Sequence, residues 1–520
     1  MTAGLGDVAA NRTLWTLATA WADRRGAEPV LVSLPRPDSP GGLESLTWLE
    51  LVELTFELRQ RLAAAGVRDG ARVVVCLPNS PLVVAVWLAV QANGGVVHVV
   101  DPDAGRLALE RAMGSTRPVL AVAGPTTGSL VQDVVRAAGS VCPVAVAEEI
   151  GVGGLRSVLG LPAAQADPPD GASDDVSALL PTSGTSGAPK LVALTQHNIV
   201  MASERLARNS GFLSEDRHYL CSPFFHTNAQ FYLCSPAFVT GGSMAVVPRF
   251  SAGSWFDAAR WTGSTVSSMV APPLRMALHR AIESGRPVDP GGLRLVQYGM
   301  SLSATDWKEW DRLVPQISMR QIYGQTESVS GVLGGSPWDG DDRATIGRPF
   351  LGVEAVRLVD EDGESVPDGV PGELWVKGVP GRTLMAGYYE NPQATEQTLV
   401  DGTWLRTGDV MVRHPGGRFE FRGRQLHIIR RGGENLSTYA LELDLQSCPL
   451  VSDVAVTAQE DSTLDALVVA HVIPTGGFSE EAFRAWCREA LGKRSEPDLV
   501  KVRKDFPRTG SGRVIARELT

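Results

Sequence analysis

An α/β fold built on parallel strands is what the sequence predicts, and three observations carry the prediction. Apolar runs that read as buried strands alternate with helix-length stretches from residue 47 to residue 147. A Gly/Ser/Thr-rich loop, Thr182 to Lys190, stands between two more apolar runs, Ala178–Leu180 and Leu191–Leu194. The chain has 520 residues, enough for about three or four domain-sized lobes.

Taken in order, Thr47-Trp48-Leu49-Glu50-Leu51 opens a helix that runs through Leu62, with apolar residues near helical spacing, and Gly66, Asp69 and Gly70 end it. Val73–Leu77 reads as a buried strand stopped by Pro78-Asn79-Ser80. A helix follows to Ala92, and Gly94-Gly95 leads into a strand from Val96 to Val100. Strand, helix, strand in this rhythm makes a parallel unit, which Val119–Val122 and Val144–Ala147 extend. Residues 151–175 are rich in Gly, Ala, Pro and Asp and read as a surface connection, and Thr195 to Asn209 reads as a helix.

Composition excludes several functions. The net charge is −10 and the pI about 5.4, the wrong sign for a nucleic-acid surface. The six cysteines form no C-x-x-C pair, so neither a zinc site nor a disulfide framework is expected, and a reducing cytoplasm fits. Met1 to Asp23 has no basic-then-apolar signal pattern, and the longest apolar run, Leu82 to Val90, is too short to span a bilayer.

The loop Thr182-Ser183-Gly184-Thr185-Ser186-Gly187-Ala188-Pro189-Lys190 suits an anion. Glycines let the backbone approach, hydroxyls and N–H groups can ring its oxygens, and Lys190 adds a cation. No Gly-Lys-Ser/Thr closes it, so it is not a Walker A loop. Elsewhere, Tyr323-Gly324-Gln325-Thr326-Glu327 offers an aromatic face for a base, a hydroxyl for a phosphate oxygen, and a carboxylate for a hard cation such as Mg²⁺. Trp404-Leu405-Arg406-Thr407-Gly408-Asp409 ends in a carboxylate able to accept from two hydroxyls at once.

The loop resembles the phosphate loop of the adenylate-forming superfamily: acyl- and aryl-CoA synthetases, nonribosomal peptide adenylation domains and luciferases. Ser186 stands where Thr is common. The later motifs follow in that family's order. The resemblance implies that Thr182, Ser183, Gly184, Thr185 and Lys190 hold phosphates, and that His226, in Pro223-Phe224-Phe225-His226-Thr227-Asn228, lines the acid cleft near the α-phosphate. It puts Tyr298, Gly299 and Met300 at an adenine-contacting strand end. Here Gly-Met-Ser replaces a small-residue run, so Met300 either narrows the cleft or fills a core gap.

By the same resemblance Tyr323, Gly324, Gln325 and Thr326 contact the nucleotide, Glu327 holds Mg²⁺, Asp409 holds the ribose and Arg424 reaches ribose or phosphates. Gly347-Arg348-Pro349 and Gly372–Gly378 match further family strands, with Glu373 in a structural role on a β-subdomain. Residues 228–231 through 248–251 resemble the carnitine/crotonobetaine-CoA ligase branch. The architecture implied is a large N-terminal region, residues 1–422, of two sheet-based lobes and a β-subdomain. A small mobile α+β lid, residues 423–520, follows it and alternates between an adenylation state and a transfer state. In the transfer state Gly432-Gly433-Glu434-Asn435 approaches the incoming nucleophile.

Departures from the family pattern gather near the C-terminus. The hinge reads Gly423-Arg424-Gln425-Leu426-His427 without the usual polar pair, and Ser495-Glu496-Pro497 replaces Lys-Val-Pro. Arg513 stands where the catalytic lysine is expected. Arginine keeps the charge but not the compact shape. The expected activity is ATP- and Mg²⁺-dependent activation of a small-molecule acid as an adenylate, pyrophosphate being released, then transfer to a nucleophile, foremost a carboxylic acid to CoA. Two alternatives stay open: a diazotase that activates nitrite for an aromatic amine in secondary metabolism, and a nucleotide-binding homologue that has lost turnover. The sequence leaves open the identity of the acid, whether the acceptor is CoA, an amine or a carrier protein, and the oligomeric state.

Overall fold

The computed structural model describes residues 12–157, 161, 168–182, 190–300, 302, 304–335, 343–424, 428–507, 514 and 516–519. Seven residues of the expected phosphate loop, 183–189, lie outside the described residues, Ser183, Gly184 and Thr185 among them, as does Arg513.

Four sheets organise the chain. The largest runs, edge to edge, Arg348–Pro349, Gly331–Gly334, Ser318–Gly324, Leu295–Gly299, Val266–Val270, Arg217–Leu220, Ser243–Val246, Pro29–Ser33 and Glu44–Thr47. Its interior pairings are parallel, and antiparallel strands close both edges. The second runs Gly387–Tyr388, Lys190–Thr195, Val176–Thr182, Val96–Val99, Arg72–Cys76, Leu120–Ala123 and Val144–Val146. The third is the antiparallel β-subdomain of Ala355–Val359, Gly372–Lys377, Trp404–His414, Leu399–Val400 and Arg418–Arg424. The fourth forms the lid from Ile428–Arg431, Glu434–Ser437, Val451–Asp461, Asp465–Pro474 and Leu499–Val502. The chain thus has the expected class: a large α/β region of two sheet-based lobes with a β-subdomain, then a small α+β domain.

Local chemistry explains the elements that were legible. Thr47 caps the helix Trp48–Ala64 through a capping box with Glu50. The helix Pro81–Ala92 starts with proline in its first turn and is buried along its whole length, in one core cluster with strands of both large sheets. Its continuous apolar run is therefore a core helix rather than a membrane span, and no described helix is long and apolar enough to cross a bilayer. Thr195 caps Gln196–Ser210. The connection at 151–175 carries a short helix, Val152–Ser157, that the Gly-rich composition did not announce. All six cysteines are buried and unbridged.

The lid meets the N-terminal region along a close seam. The backbone of Ala104 pairs with that of Gly492, and a Cβ on Gly105 would fall 2.3 Å from the carbonyl oxygen of Ala490. Ion pairs Arg111–Asp444 and Arg275–Asp465 bridge the seam, and Arg494 Nε lies 2.7 Å from Asp101. The hairpin turn Gly432-Gly433 reaches Val270, where a Cβ on Gly433 would lie 2.1 Å from a Val270 methyl. Gly433 also takes φ 91°, so glycine is required twice over.

Candidate active site

Parallel strands end on one edge of the largest sheet, where open α/β sheets bind ligands. Leu220, Val270, Gly299 and Gly324 are the last residues of four such strands. The loops after them carry His226, Met300 and Glu327.

The loop bearing His226 is pinned from the core. Asn79 donates from Nδ2 to the Ser222 carbonyl at 2.8 Å and accepts from the Phe224 N–H at 2.8 Å. Gln230 donates to the Phe224 carbonyl at 2.7 Å and accepts from Trp87 Nε1 at 2.9 Å. Both Asn79 and Gln230 are buried, so these bonds are shielded from solvent. Straight after the loop comes a π-helical turn, Asn228–Cys234, a widening that often marks a functional site. The His226 ring stands 4.2 Å from that of Phe225, and the guanidinium of Arg494 from the lid sits 5.0 Å from the Phe225 ring centroid.

A second cluster gathers the expected nucleoside residues. Asp409 is buried, and its Oδ2 accepts from the Tyr323 hydroxyl at 2.7 Å and from Gln325 Nε2 at 2.7 Å. Gln325 Nε2 also reaches the Thr407 carbonyl at 2.8 Å. Glu373 accepts from the Gly408 N–H at 2.9 Å, so this buried carboxylate holds the turn that presents Asp409. Arg424 lies opposite Asp409 in the strand ladder. A Cβ on Gly324 would lie 2.4 Å from the Ser330 carbonyl oxygen, so the motif needs glycine at that point.

A third cluster joins the strands flanking the expected phosphate loop to Glu327, the carboxylate expected to hold a metal. Thr182 and Lys190 face each other across the antiparallel pair that flanks the loop. Thr182 Oγ1 is buried with no hydrogen-bond partner among the described residues, as suits a donor meant for a phosphate oxygen. Lys190 Nζ stands 4.7 Å from the ring centroid of Tyr388, and the Tyr388 hydroxyl donates to Glu327 Oε1 at 2.7 Å. Tyr388 therefore ties the loop's cation to the carboxylate. No group of three or more His, Cys, Asp or Glu that could hold a metal occurs among the described residues. A single carboxylate completed by substrate phosphates is the usual way to hold Mg²⁺, and Glu327 fits it.

The backbone is strained beside this cluster. Met300 has φ 69°, unusual for a side chain of that size, and its carbonyl accepts from Gln321 Nε2 at 2.6 Å. Val329 has φ 69° and ψ −47°, and the Ser330 N–H bonds the Ser328 carbonyl at 2.9 Å, which makes a γ-turn of the rare, strained hand.

Tyr298 stands apart from these clusters: its ring is buried edge-on against Trp307 at 5.7 Å. Three positioning residues, Asn79, Gln230 and Tyr388, were not singled out from sequence. Pro78-Asn79-Ser80 reads as a strand stop, and Tyr388 falls in no motif that the sequence analysis identified. The one available signal at Gln230 was a polar residue inside an apolar run.

The chain is similar to known proteins over most of its length. Residues 18–389 match the family model described as AMP-binding enzyme, and residues 441–513 match its C-terminal domain. The crotonobetaine/carnitine–CoA ligase of Escherichia coli O7:K1 is 27% identical over 514 residues, covering 97% of this chain and 98% of that one. Its counterpart in Citrobacter koseri is 31% identical over 352 residues, 67% of each chain. Among solved structures, o-succinylbenzoate CoA synthetase from Bacillus subtilis superposes with a TM-score of 0.83 at 21% identity, covering 98% of both chains. The chain belongs to the AMP-binding enzyme family and is an AMP-forming, acyl-CoA synthetase-like ligase.

Proposed function

We propose that this ligase joins a small-molecule carboxylic acid to CoA in two half-reactions, with Glu327 holding Mg²⁺ and Arg513 serving the first. The observation that carries the reading is the Lys190–Tyr388–Glu327 chain next to the Tyr323–Gln325–Asp409 cluster, one set suited to phosphates and the other to a nucleoside. CoA as acceptor is supported by the named activity of the relatives that align over nearly the whole chain. Nitrite as the acid and a turnover-dead homologue gain no support from those relatives.

In the first half-reaction a carboxylate oxygen attacks the α-phosphorus of ATP, the bond to the bridging oxygen breaks, and pyrophosphate leaves. Lys190 and Thr182 offset the charge that builds on the departing oxygens, and Asp409 fixes the nucleoside so that attack runs in line. Bound Mg²⁺ would supply further neutralisation of the phosphate charge. Phe225 and His226 form a wall for the acid. In the second half-reaction the CoA sulfur attacks the acyl carbon, AMP leaves with its oxygen, and the thiol proton goes to solvent.

The lid arrangement favours the second half-reaction. Gly433 abuts Val270, and Arg494 covers Phe225 beside His226. Val514, next to Arg513, packs with Ile473, Ala455, Phe506 and Leu519. Val454 and Val456, alternating with Ala455, face the opposite side with the lid helices and Leu107 of the N-terminal region. Val514 therefore lies on the lid face turned away from that seam.

Two variants test the division of labour. Gly433→Ala puts a methyl where Val270 stands, and should leave acid-dependent ATP–pyrophosphate exchange intact while slowing thioester formation at least about tenfold. Arg513→Ala should do the reverse and slow exchange by roughly a hundredfold. Exchange unaffected in Arg513→Ala would remove that residue from the first step.

A further inference from the structure

We propose that the wall behind Glu327 carries a second anion site, built by Arg205, Arg208 and Arg382 and sized for one small tetrahedral oxyanion such as phosphate or sulfate. A cavity of about 70 Å³ is lined there by these three arginines with Glu204, Leu351 and Gly352. The volume is far below the ~300 Å³ at which nucleotide-sized pockets begin, so a single oxyanion is the fitting class.

Charge balance points the same way. Arg205 is only 8% exposed, and its Nε has no hydrogen-bond partner among the described residues. Among the described residues its guanidinium bonds the Ser328 carbonyl at 3.0 Å and lies 3.5 Å from the Ser330 hydroxyl, both neutral groups. Burial lowers its pKa to about 10, which leaves it a cation at neutral pH. Glu204, the one acidic side chain on the cavity wall, is already engaged by Arg12. Arg382 has Asp174 only at 3.9 Å, across exposed surface. A buried cation without a carboxylate is costly, and an oxyanion in the cavity would supply its missing acceptor.

The site connects to the catalytic cluster through one atom. The Ser328 carbonyl that Arg205 holds also accepts the Ser330 N–H that closes the strained turn at Val329, directly after Glu327. An anion on Arg205 would fix that turn without touching ATP. The site is independent of which acid the enzyme activates.

The test is thermal unfolding of the full chain with saturating AMP, so that the phosphate subsite of the active site is occupied. Phosphate and, separately, sulfate are titrated against chloride at constant ionic strength. The expected result is a saturable rise in the unfolding midpoint with either oxyanion. In the surface double variant R208Q/R382Q the half-saturating concentration should rise about tenfold or more, with the AMP-dependent shift kept. The proposal is overturned if neither oxyanion raises the wild-type midpoint beyond chloride, or if the double variant responds as the wild type does.

Discussion

Tyr388→Phe isolates one atom of the Lys190–Tyr388–Glu327 cluster proposed to hold phosphates and Mg²⁺. The variant keeps the ring, and with it the Lys190 contact at 4.7 Å, but removes the hydroxyl that donates to Glu327 Oε1 at 2.7 Å. Tyr388 is 9% exposed, so solvent is poorly placed to replace that donor. A hydrogen bond to a charged group is worth about 1.5–3 kcal/mol, or roughly ten- to a hundredfold in a rate or binding constant. The loss should appear as a raised half-saturating Mg²⁺ concentration and a lowered kcat/KM for ATP, and Glu327→Gln should shift the same two quantities further. Tyr388→Leu also removes the cation–π contact, worth about 0.5–2 kcal/mol, and should raise KM for ATP beyond the phenylalanine variant. Steady-state pyrophosphate release across a Mg²⁺ titration reads all of this. Wild-type Mg²⁺ dependence and kcat/KM in Tyr388→Phe would show that the tyrosine does not position Glu327, and the reasoning from the 2.7 Å contact would fail.

Asp409→Ala removes the acceptor shared by Tyr323 and Gln325, and calorimetric ATP binding should weaken by about 1.5–3 kcal/mol; unchanged affinity would take Asp409 out of the site. His218 is fully buried, with its ring 4.8 Å from that of Phe212, and burial holds its pKa down to about 4. Between that value and the unfolded value near 6.5 the unfolded chain binds more protons, so stability falls as pH drops through this window, by up to about 3 kcal/mol from this residue. Denaturant midpoints from pH 7 to pH 5 should therefore fall more steeply in the wild type than in His218→Phe, and parallel slopes would contradict the assignment.

Much of the fold was readable because its rules are local. The helix opening at Thr47-Trp48 was legible from the helical spacing of its apolar residues, and the structure adds the capping boxes at Thr47 and Thr195. The valine-rich runs at 73–77 and 96–100 announced buried parallel strands, His98 being the one polar side chain in the second. Pairings between distant segments were not readable, because strand register is set by tertiary contact. Nothing near Gly387-Tyr388 indicates that it adds an edge strand to Lys190–Thr195 and so brings a phenol to Glu327. Tyr323, Gln325 and Asp409 could be singled out because they fall in motifs that resemble those of the adenylate-forming family, and the structure brings their side chains together. Tyr298 shows the limit of that reasoning: its neighbours face a strand end, yet period-two alternation sends its ring into the core against Trp307. Arg205 was hidden as one more cation on a helix until the structure buried it.

Product identity tests the central claim most directly. The purified enzyme is incubated with ATP, Mg²⁺ and CoA and a panel of aliphatic and aryl carboxylic acids, with nitrite plus an arylamine as a separate arm, and nucleotides and thioesters are separated by chromatography with mass detection. The account predicts AMP and pyrophosphate in equal amounts, formed only with a carboxylic acid present, and an acyl-CoA equal to the AMP. ADP as the product, or AMP formed with nitrite and with none of the carboxylic acids, would contradict it.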